Sequence, residues 1–374
     1  MKILIAGDFC PQYRVSKKIE SGDFESVLGE FKSLIFDADY SIVNFECPVT
    51  YGGEKPIVKC GPNLQCTEKG LEAVKWAGFN CVTLANNHFL DYGRAGVENT
   101  LEACARFGID TVGGGSNLRE ASATFYKKID DSVLAIINCC EHEFSVATQA
   151  SAGSNPLNPI QQFYAIKEAR NKADYVLVIV HGGHEHYQLP SPRMQEVYRF
   201  FIDAGASAVI NHHQHCYSGY EVYKGKPIFY GLGNFCFDKP GNMYESWNEG
   251  FVVTLDMKSQ DVIFAIHPYI QCNEEPHITL FSQSAFDEHL NKLNRIISDD
   301  KMLKEAVEKY YKSLKHLSRN VLNPVTNRYL RSLQCRNLLP DFISEKWLKV
   351  MHNHLMCEAH RDRLLYYLNH RNEK

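Results

Sequence analysis

The sequence predicts an α/β fold, a sheet core covered by helices, followed by a mainly helical C-terminal region. Three observations carry this. Short runs rich in β-branched residues recur along the first 270 positions. Stretches with 3.6-residue apolar spacing separate several of them. The runs themselves are nearly continuous in apolar residues, the pattern of strands buried on both faces.

Strands are expected at "KILIAGD" (2–8), "YSIVNFE" (40–46), "NCVTLAN" (80–86), "IDTVGGG" (109–115), "VLAIIN" (133–138), "DYVLVIVHGG" (174–183), "ASAVINHH" (206–213) and "KPIFYGLGNF" (226–235). Helices are expected over 67–76, 95–107 and 194–204. The character changes after about residue 275. From Phe286 onward no strand-like run remains, and "LNKLNRIISDDKMLKEAVEKYYKSL" and "EKWLKVMHNHLMCEAHRDRLLYYL" carry helical periodicity. The expected division is a domain over 1–270 and a helical region over 275–374.

The bulk properties narrow the class. The 374 residues are 44% hydrophobic and 22% charged, with a formal net charge of -4. That balance suits a soluble globular protein and offers no general attraction for nucleic acid or anionic membrane. The opening "MKILIAGDFC" meets Asp8 too soon for a signal peptide, and no later run is apolar enough to span a bilayer. A cytoplasmic location is therefore expected. The 13 cysteines are scattered without zinc-finger spacing and read as reduced core residues, the adjacent Cys139 and Cys140 included.

Polar residues gather at the carboxyl ends of the strands. Asp8 closes the first, Glu46 the second, and Asn86, Asn87 and His88 the third, with Asp91 just beyond. His181 closes a later strand in "HGGHEHY", and His212, His213 and His215 another in "NHHQHC". In open α/β sheets that edge is where sites form. Carboxylates, an amide and imidazoles together suit zinc, manganese, iron or a similar divalent ion. Each group has a plainer reading. Asp8 could cap a helix, Glu46 could be a solvated loop acid, Asn86 and Asn87 could serve turn geometry, and His181 could be a satisfied core histidine. Recurrence on five strands favours a site. His142, His267, His352, His354, His360 and His370 are read as ordinary.

The motifs "NFECPVT", "TLANNHFLDYGRAGVENTL", "GIDTVGGGSNLREA", "HGGHEHY", "GASAVINHHQH" and "KPIFYGLGNF" occur in that order over roughly the first 270 residues. Together they resemble the CapA family of capsule and poly-γ-glutamate synthesis proteins, within the calcineurin-like metallophosphatase superfamily. The resemblance implies a metallophosphatase-like core binding one or two divalent ions (Mn, Zn or Fe). It implies Asp8, Glu46, Asn87, His181, His213 and His215 as metal ligands, with Glu46 bridging. It implies His88 as the proton-transfer residue, Asp91 as its orienting acid, and Glu185 as a further acid. Two departures stand out: Cys10 where phosphatases of the superfamily place a histidine, and Asn211 and Gln214 for the usual glycine and proline of the closing motif.

Asn234 in "GLGNF" is read as a substrate-binding candidate, with a turn role as its alternative. "GGGSN" (113–117) lacks the lysine and spacing of a phosphate loop and reads as a strand-exit turn. Three functions follow as expectations: a metal-dependent hydrolase in capsule or cell-surface polymer assembly; the same fold working on amide, γ-glutamyl or peptide α-carbon chemistry; or a non-catalytic subunit of a polymer-synthesis complex. The substrate would be a small molecule or a polymer.

Overall fold

The structure is a computed structural model. It describes residues 1–314 except 242, 244, 259, 260 and 282, residues 327–356 except 337 and 340–343, and residue 368. The chain forms two compact units, Met1–Lys304 and Glu305–Lys374.

The first unit is mixed α/β, as the sequence predicts, but its core is two stacked sheets. One sheet contains β1 (Lys2–Phe9), β2 (Tyr40–Phe45), β3 (Cys81–Thr83) and β4 (Asp110–Val112), all parallel. The other is built on the parallel set β5 (Ser132–Cys140), β6 (Tyr175–His181), β7 (Ala208–His212) and β8 (Lys226–Phe229). β9 (Asn234–Cys236) returns to the first sheet beside β1, pairing Asn234 with Asp8. β10 (Glu249–Lys258) and β11 (Asp261–Gln271) extend it antiparallel on the far side of β1. The sequence reading names neither β10 nor β11.

The sheets meet through aromatic side chains, such as Phe229 against Phe251 and Phe264, with ring centres 6.1 and 5.2 Å apart. Because each sheet is apolar on its inner face, stacking removes both faces from water. Every residue of β2, β6 and β7 is buried.

The helices have local causes. Pro192–Ala204 starts where the Ser191 side chain accepts a hydrogen bond from Met194 N, with Pro192 in the first turn, and stops at Gly205 (φ 121°). Gly93–Phe107 ends at left-handed Gly108. The helix Gln283–Ile297, expected as part of the tail, belongs to the first unit: the Phe286 and Tyr217 ring centres are 4.8 Å apart, and Asn294 Oδ1 accepts from Tyr220 N at 2.7 Å. A helix at Asp300–Ser313 begins in the first unit and ends in the second. Among the described residues, the second unit also holds helices Arg328–Cys335 and Glu345–Met356. His360, His370 and residues 357–367 of the second helical stretch lie outside the described residues. No helix among the described residues is long and apolar enough to cross a membrane.

The run of Gly113, Gly114 and Gly115 packs tightly. A Cβ on Gly113 (φ 88°) would sit 2.0 Å from Asn138 Oδ1, and one on Gly114 would sit 2.5 Å from the Phe89 ring. These glycines let the chain pass close behind the Asn86–Phe89 turn.

Candidate metal centre

Both parallel sets present their carboxyl ends to one corner. β1 delivers Asp8, the exit of β2 delivers Glu46, and the turn after β3 delivers Asn87 and His88. β6 ends on His181, and the loop after β7 delivers His213 and His215. All seven of these residues and Asp91 are buried, with Glu46 and Asp91 at 0% exposure.

Two groups of ligand atoms form there: Glu46 with His181 and His213, and Asp8 with Glu46 and His215, each within 4.8 Å. Glu46 belongs to both. In the first group His181 Nε2 lies 3.1 Å from Asn87 Oδ1, 3.1 Å from His213 Nδ1 and 3.6 Å from Glu46 Oε1. In the second, His215 Nε2 lies 3.7 Å from Glu46 Oε1, and His215 Nδ1 lies 3.7 Å from Asp8 Oδ2.

The donor chemistry fits divalent ions. Both Glu46 oxygens are buried without a hydrogen-bond partner among the described residues. An unpaired buried carboxylate is costly unless a cation or a proton meets it. His181 Nε2, Asn87 Oδ1, His213 Nδ1 and Glu46 Oε1 point at one spot, and one proton on His181 cannot serve the three others. A cation satisfies all four.

Burial acts oppositely on the two kinds of ligand. It pushes the Asp8 carboxyl up to about 7, against the lowering bonds from Asn44 and the His213 amide. Burial first and the Asp8 charge second raise Glu46 well above the usual carboxylate range. Burial holds His181 and His215 well below the usual imidazole range, lowers His213, and takes His212 down to about 3. Without ions the corner favours protonated acids and neutral imidazoles; a cation restores the carboxylates and takes the imidazoles as they are.

Neighbours fix the orientations. Asn44 Nδ2 donates to Asp8 Oδ1 at 2.8 Å, and its nitrogen lies 3.4 Å from His181 Nδ1. Asn234, expected to bind substrate, has a different place. It is wholly buried, and its Nδ2 donates to His215 O (3.1 Å) and Trp247 O (3.2 Å). Its Oδ1 must therefore face His215 Nδ1, 2.8 Å away, so that nitrogen carries the proton and Nε2 turns toward Glu46.

His88 stands beside the ligands. Its Nδ1 lies 2.7 Å from Asp91 Oδ2, which also accepts from Leu64 N at 2.7 Å. Lys59 forms an ion pair with the other Asp91 oxygen, its side chain 2% exposed. Lys59 Nζ also lies 3.1 Å from His88 Nδ1. The shorter Asp91 contact favours a proton on Nδ1, which leaves Nε2 for chemistry. Glu185 is exposed, and among the described residues no hydrogen bond ties it to the ligands. Cys10 is buried and in neither ligand group; its sulfur accepts from Gln12 Nε2 at 3.5 Å. His212 lies behind the ligands, its Nδ1 3.6 Å from Asp8 Oδ1 and both ring nitrogens unpartnered among the described residues.

Three site residues escape the sequence reading. Glu143 Oε2 accepts from Asn87 Nδ2 at 3.2 Å, and its Oε1 lies 3.6 Å from His213 Nε2. The Trp247 ring covers His215, with centres 4.7 Å apart. Lys59 is the third. Glu143 follows the strand expected at 133–138, so the strand-end argument applied there would have found it. Trp247 and Lys59 lie in stretches without a strand-end signal.

The model of the bacterial capsule synthesis protein family PGA_cap matches residues 2–239, more than half of the chain. The chain belongs to the PGA_cap family. Among curated relatives of this PGA_cap member, the capsule biosynthesis protein CapA of Bacillus anthracis is 32% identical over 247 residues, covering 64% of this chain and 60% of the relative. The PGA biosynthesis protein CapA of Bacillus subtilis is 32% identical over 236 residues, covering 62% of each. The chain thus spans about three-fifths of the length of these relatives. Among solved structures, a phosphatase from Mycoplasma pneumoniae aligns over 73% of this chain and 95% of its own, at 17% identity and a TM-score of 0.44.

Proposed function

We propose that this chain is a metal-dependent hydrolase that holds two divalent ions and acts in the synthesis of a capsule or cell-surface polymer. The observation that carries the chemistry is Glu46: one buried carboxylate without hydrogen-bond partners among the described residues, common to two groups of ligand atoms. The biological setting rests on family membership and on the names of the relatives, which tie those proteins to capsule and PGA biosynthesis.

Asp8, Glu46 and His215 would hold one ion, and Glu46, Asn87, His181 and His213 the other. Bound ions would supply Lewis acidity and activate a water at neutral pH. The remaining steps belong to the protein's own side chains. His88 moves a proton at Nε2, with Asp91 fixing the tautomer through Nδ1. Lys59 balances the buried Asp91 charge, so the His88–Asp91 pair does not add another uncompensated anion beside Glu46. Trp247 covers the outer face of His215 and keeps water from that side.

The test is metal analysis of the purified protein, followed by a panel of phosphodiesters, phosphomonoesters and γ-glutamyl peptides. About two equivalents of metal and turnover of a phosphoester, both abolished in Glu46→Ala, are expected. Turnover of γ-glutamyl peptides alone would move the reading to amide chemistry. A metal-loaded protein that hydrolyses nothing on the panel would favour a non-catalytic subunit.

A further inference from the structure

The segment after β5 grips three loops of the site with alternate side chains. Glu141 Oε2 accepts from Gly183 N at 3.1 Å, in the turn that follows His181. Ser145 Oγ donates to Asn87 O at 2.7 Å and accepts from Leu90 N at 3.0 Å. Between them Glu143 reaches ligands on both sheets: Asn87 Nδ2 at 3.2 Å and His213 Nε2 at 3.6 Å.

We propose that Glu143 is the positioning carboxylate that decides which atom Asn87 and His213 turn toward the ions. This rests on the metal-centre reading above. Asn87 and His213 are each ambiguous alone, since an amide can present oxygen or nitrogen and an imidazole either ring nitrogen. A carboxylate resolves both because it only accepts. It takes the NH₂ of Asn87, which leaves Oδ1 inward, 3.1 Å from His181 Nε2. Its Oε1 lies at ion-pair distance from His213 Nε2, 3.6 Å, which favours a proton there and leaves the Nδ1 lone pair inward, 3.1 Å from the same atom. An outer carboxylate on a ligating histidine also strengthens it as a donor.

The plain alternative is a surface acid near polar neighbours, and at 37% side-chain exposure Glu143 is open enough for that. Two features weigh against it. Its two oxygens address two ligands that come from different sheets. Both contacts also fall on the outward atom of a ligand whose inward atom lies within 3.1 Å of His181.

The test uses the full chain with ¹⁵N-labelled histidines, stripped of metal and titrated with zinc against a chromophoric chelator. Long-range ¹H–¹⁵N spectra report the His213 tautomer, assigned with His213→Gln. Wild type should hold the proton on Nε2 of His213 before zinc is added. Glu143→Ala should lose that single-tautomer signature and bind zinc about 10–100-fold more weakly at unchanged stoichiometry. Glu143→Gln should fall between, because its one carbonyl oxygen can serve Asn87 or His213 but its NH₂ cannot accept. Unchanged affinity and tautomer in Glu143→Ala would overturn the proposal, as would loss of a whole equivalent of zinc, which would make Glu143 a ligand. Failure of wild type to take up zinc would overturn the metal-centre reading and this proposal with it, whereas normal uptake by an unaffected Glu143→Ala would sink this proposal alone.

Discussion

The two sheets bring different chemistry to the same corner. The first contributes oxygen from Asp8, Glu46 and Asn87; the second contributes nitrogen from His181, His213 and His215. Burial drives the oxygen side toward protonated acids and the nitrogen side toward neutral imidazoles. Neither sheet alone offers a complete donor set. The site is therefore a property of how the sheets stack, and its integrity reports on that stacking as well as on the ligands.

The largest break of this arrangement should come at Glu46. Glu46→Ala should bring metal content by elemental analysis close to zero, because both ligand groups lose a member. His213→Ala and Asp8→Asn should each empty mainly the group to which they belong. A Glu46→Ala protein that keeps one full equivalent would disprove the shared carboxylate.

Next is His88, which sits on the oxygen side without being a ligand. His88→Ala should keep its metal and lose turnover by roughly 10²–10⁴, and Asp91→Asn should fall between it and wild type. If His88→Ala strips metal as fully as His213→Ala, His88 is a ligand and proton transfer must be sought elsewhere.

A smaller effect sharpens the nitrogen side. Asn234→Ala removes the acceptor that sets the His215 tautomer. It should weaken metal affinity about 10–100-fold in a chelator competition while leaving the substrate KM near wild type. A raised KM with normal metal affinity would return Asn234 to substrate binding.

The smallest effect is on stability against pH in metal-free protein. Acids raised in the folded state keep protons that the unfolded chain has already released, so their contribution is lost as pH rises through the folded pKa. Imidazoles lowered in the folded state act in the other direction, but only below about 6.5, where the unfolded chain still binds protons. Between about pH 6.5 and 8 the acids act alone. The melting temperature of metal-free protein should fall across that window, at roughly 1–2 °C per kcal/mol for a chain of 374 residues. Metal-loaded protein should show no such fall. A flat profile for both would mean that Asp8 is ionised without a cation.

Much of this was legible in the sequence, because strand ends are local. A run such as "YSIVNFE" announces its own strand and places Glu46 at the exit; the same holds for Asp8 and His181. What escaped was non-local. That the strands belong to two sheets depends on pairings such as Val209 with Ile228 and Thr254 with Ala265, which no single run reveals. The apolar runs within 249–258 and 261–271 were readable as well, but they deliver no residue to either ligand group. Asn234 pairs with Asp8 across 226 positions of chain, so its support of His215 appears only once β9 lies beside β1. Lys59 sits in a stretch without regular structure, and nothing local marks it as the partner of Asp91.

The loop that carries the second-sheet ligands has one further property. His213 and His215 both have positive φ, 90° and 56°, a region that suits glycine and costs other residues about 1–3 kcal/mol. The surroundings hold them there: His213 N donates to Asp8 Oδ2, and His215 O accepts from Asn234 Nδ2. Glycine at either position would relax the backbone but would empty a buried space, since His213 packs on His181 and His215 on Phe237 and Trp247. Backbone strain and ring packing therefore pull in opposite directions in this loop, and the packing keeps the strained turn in place.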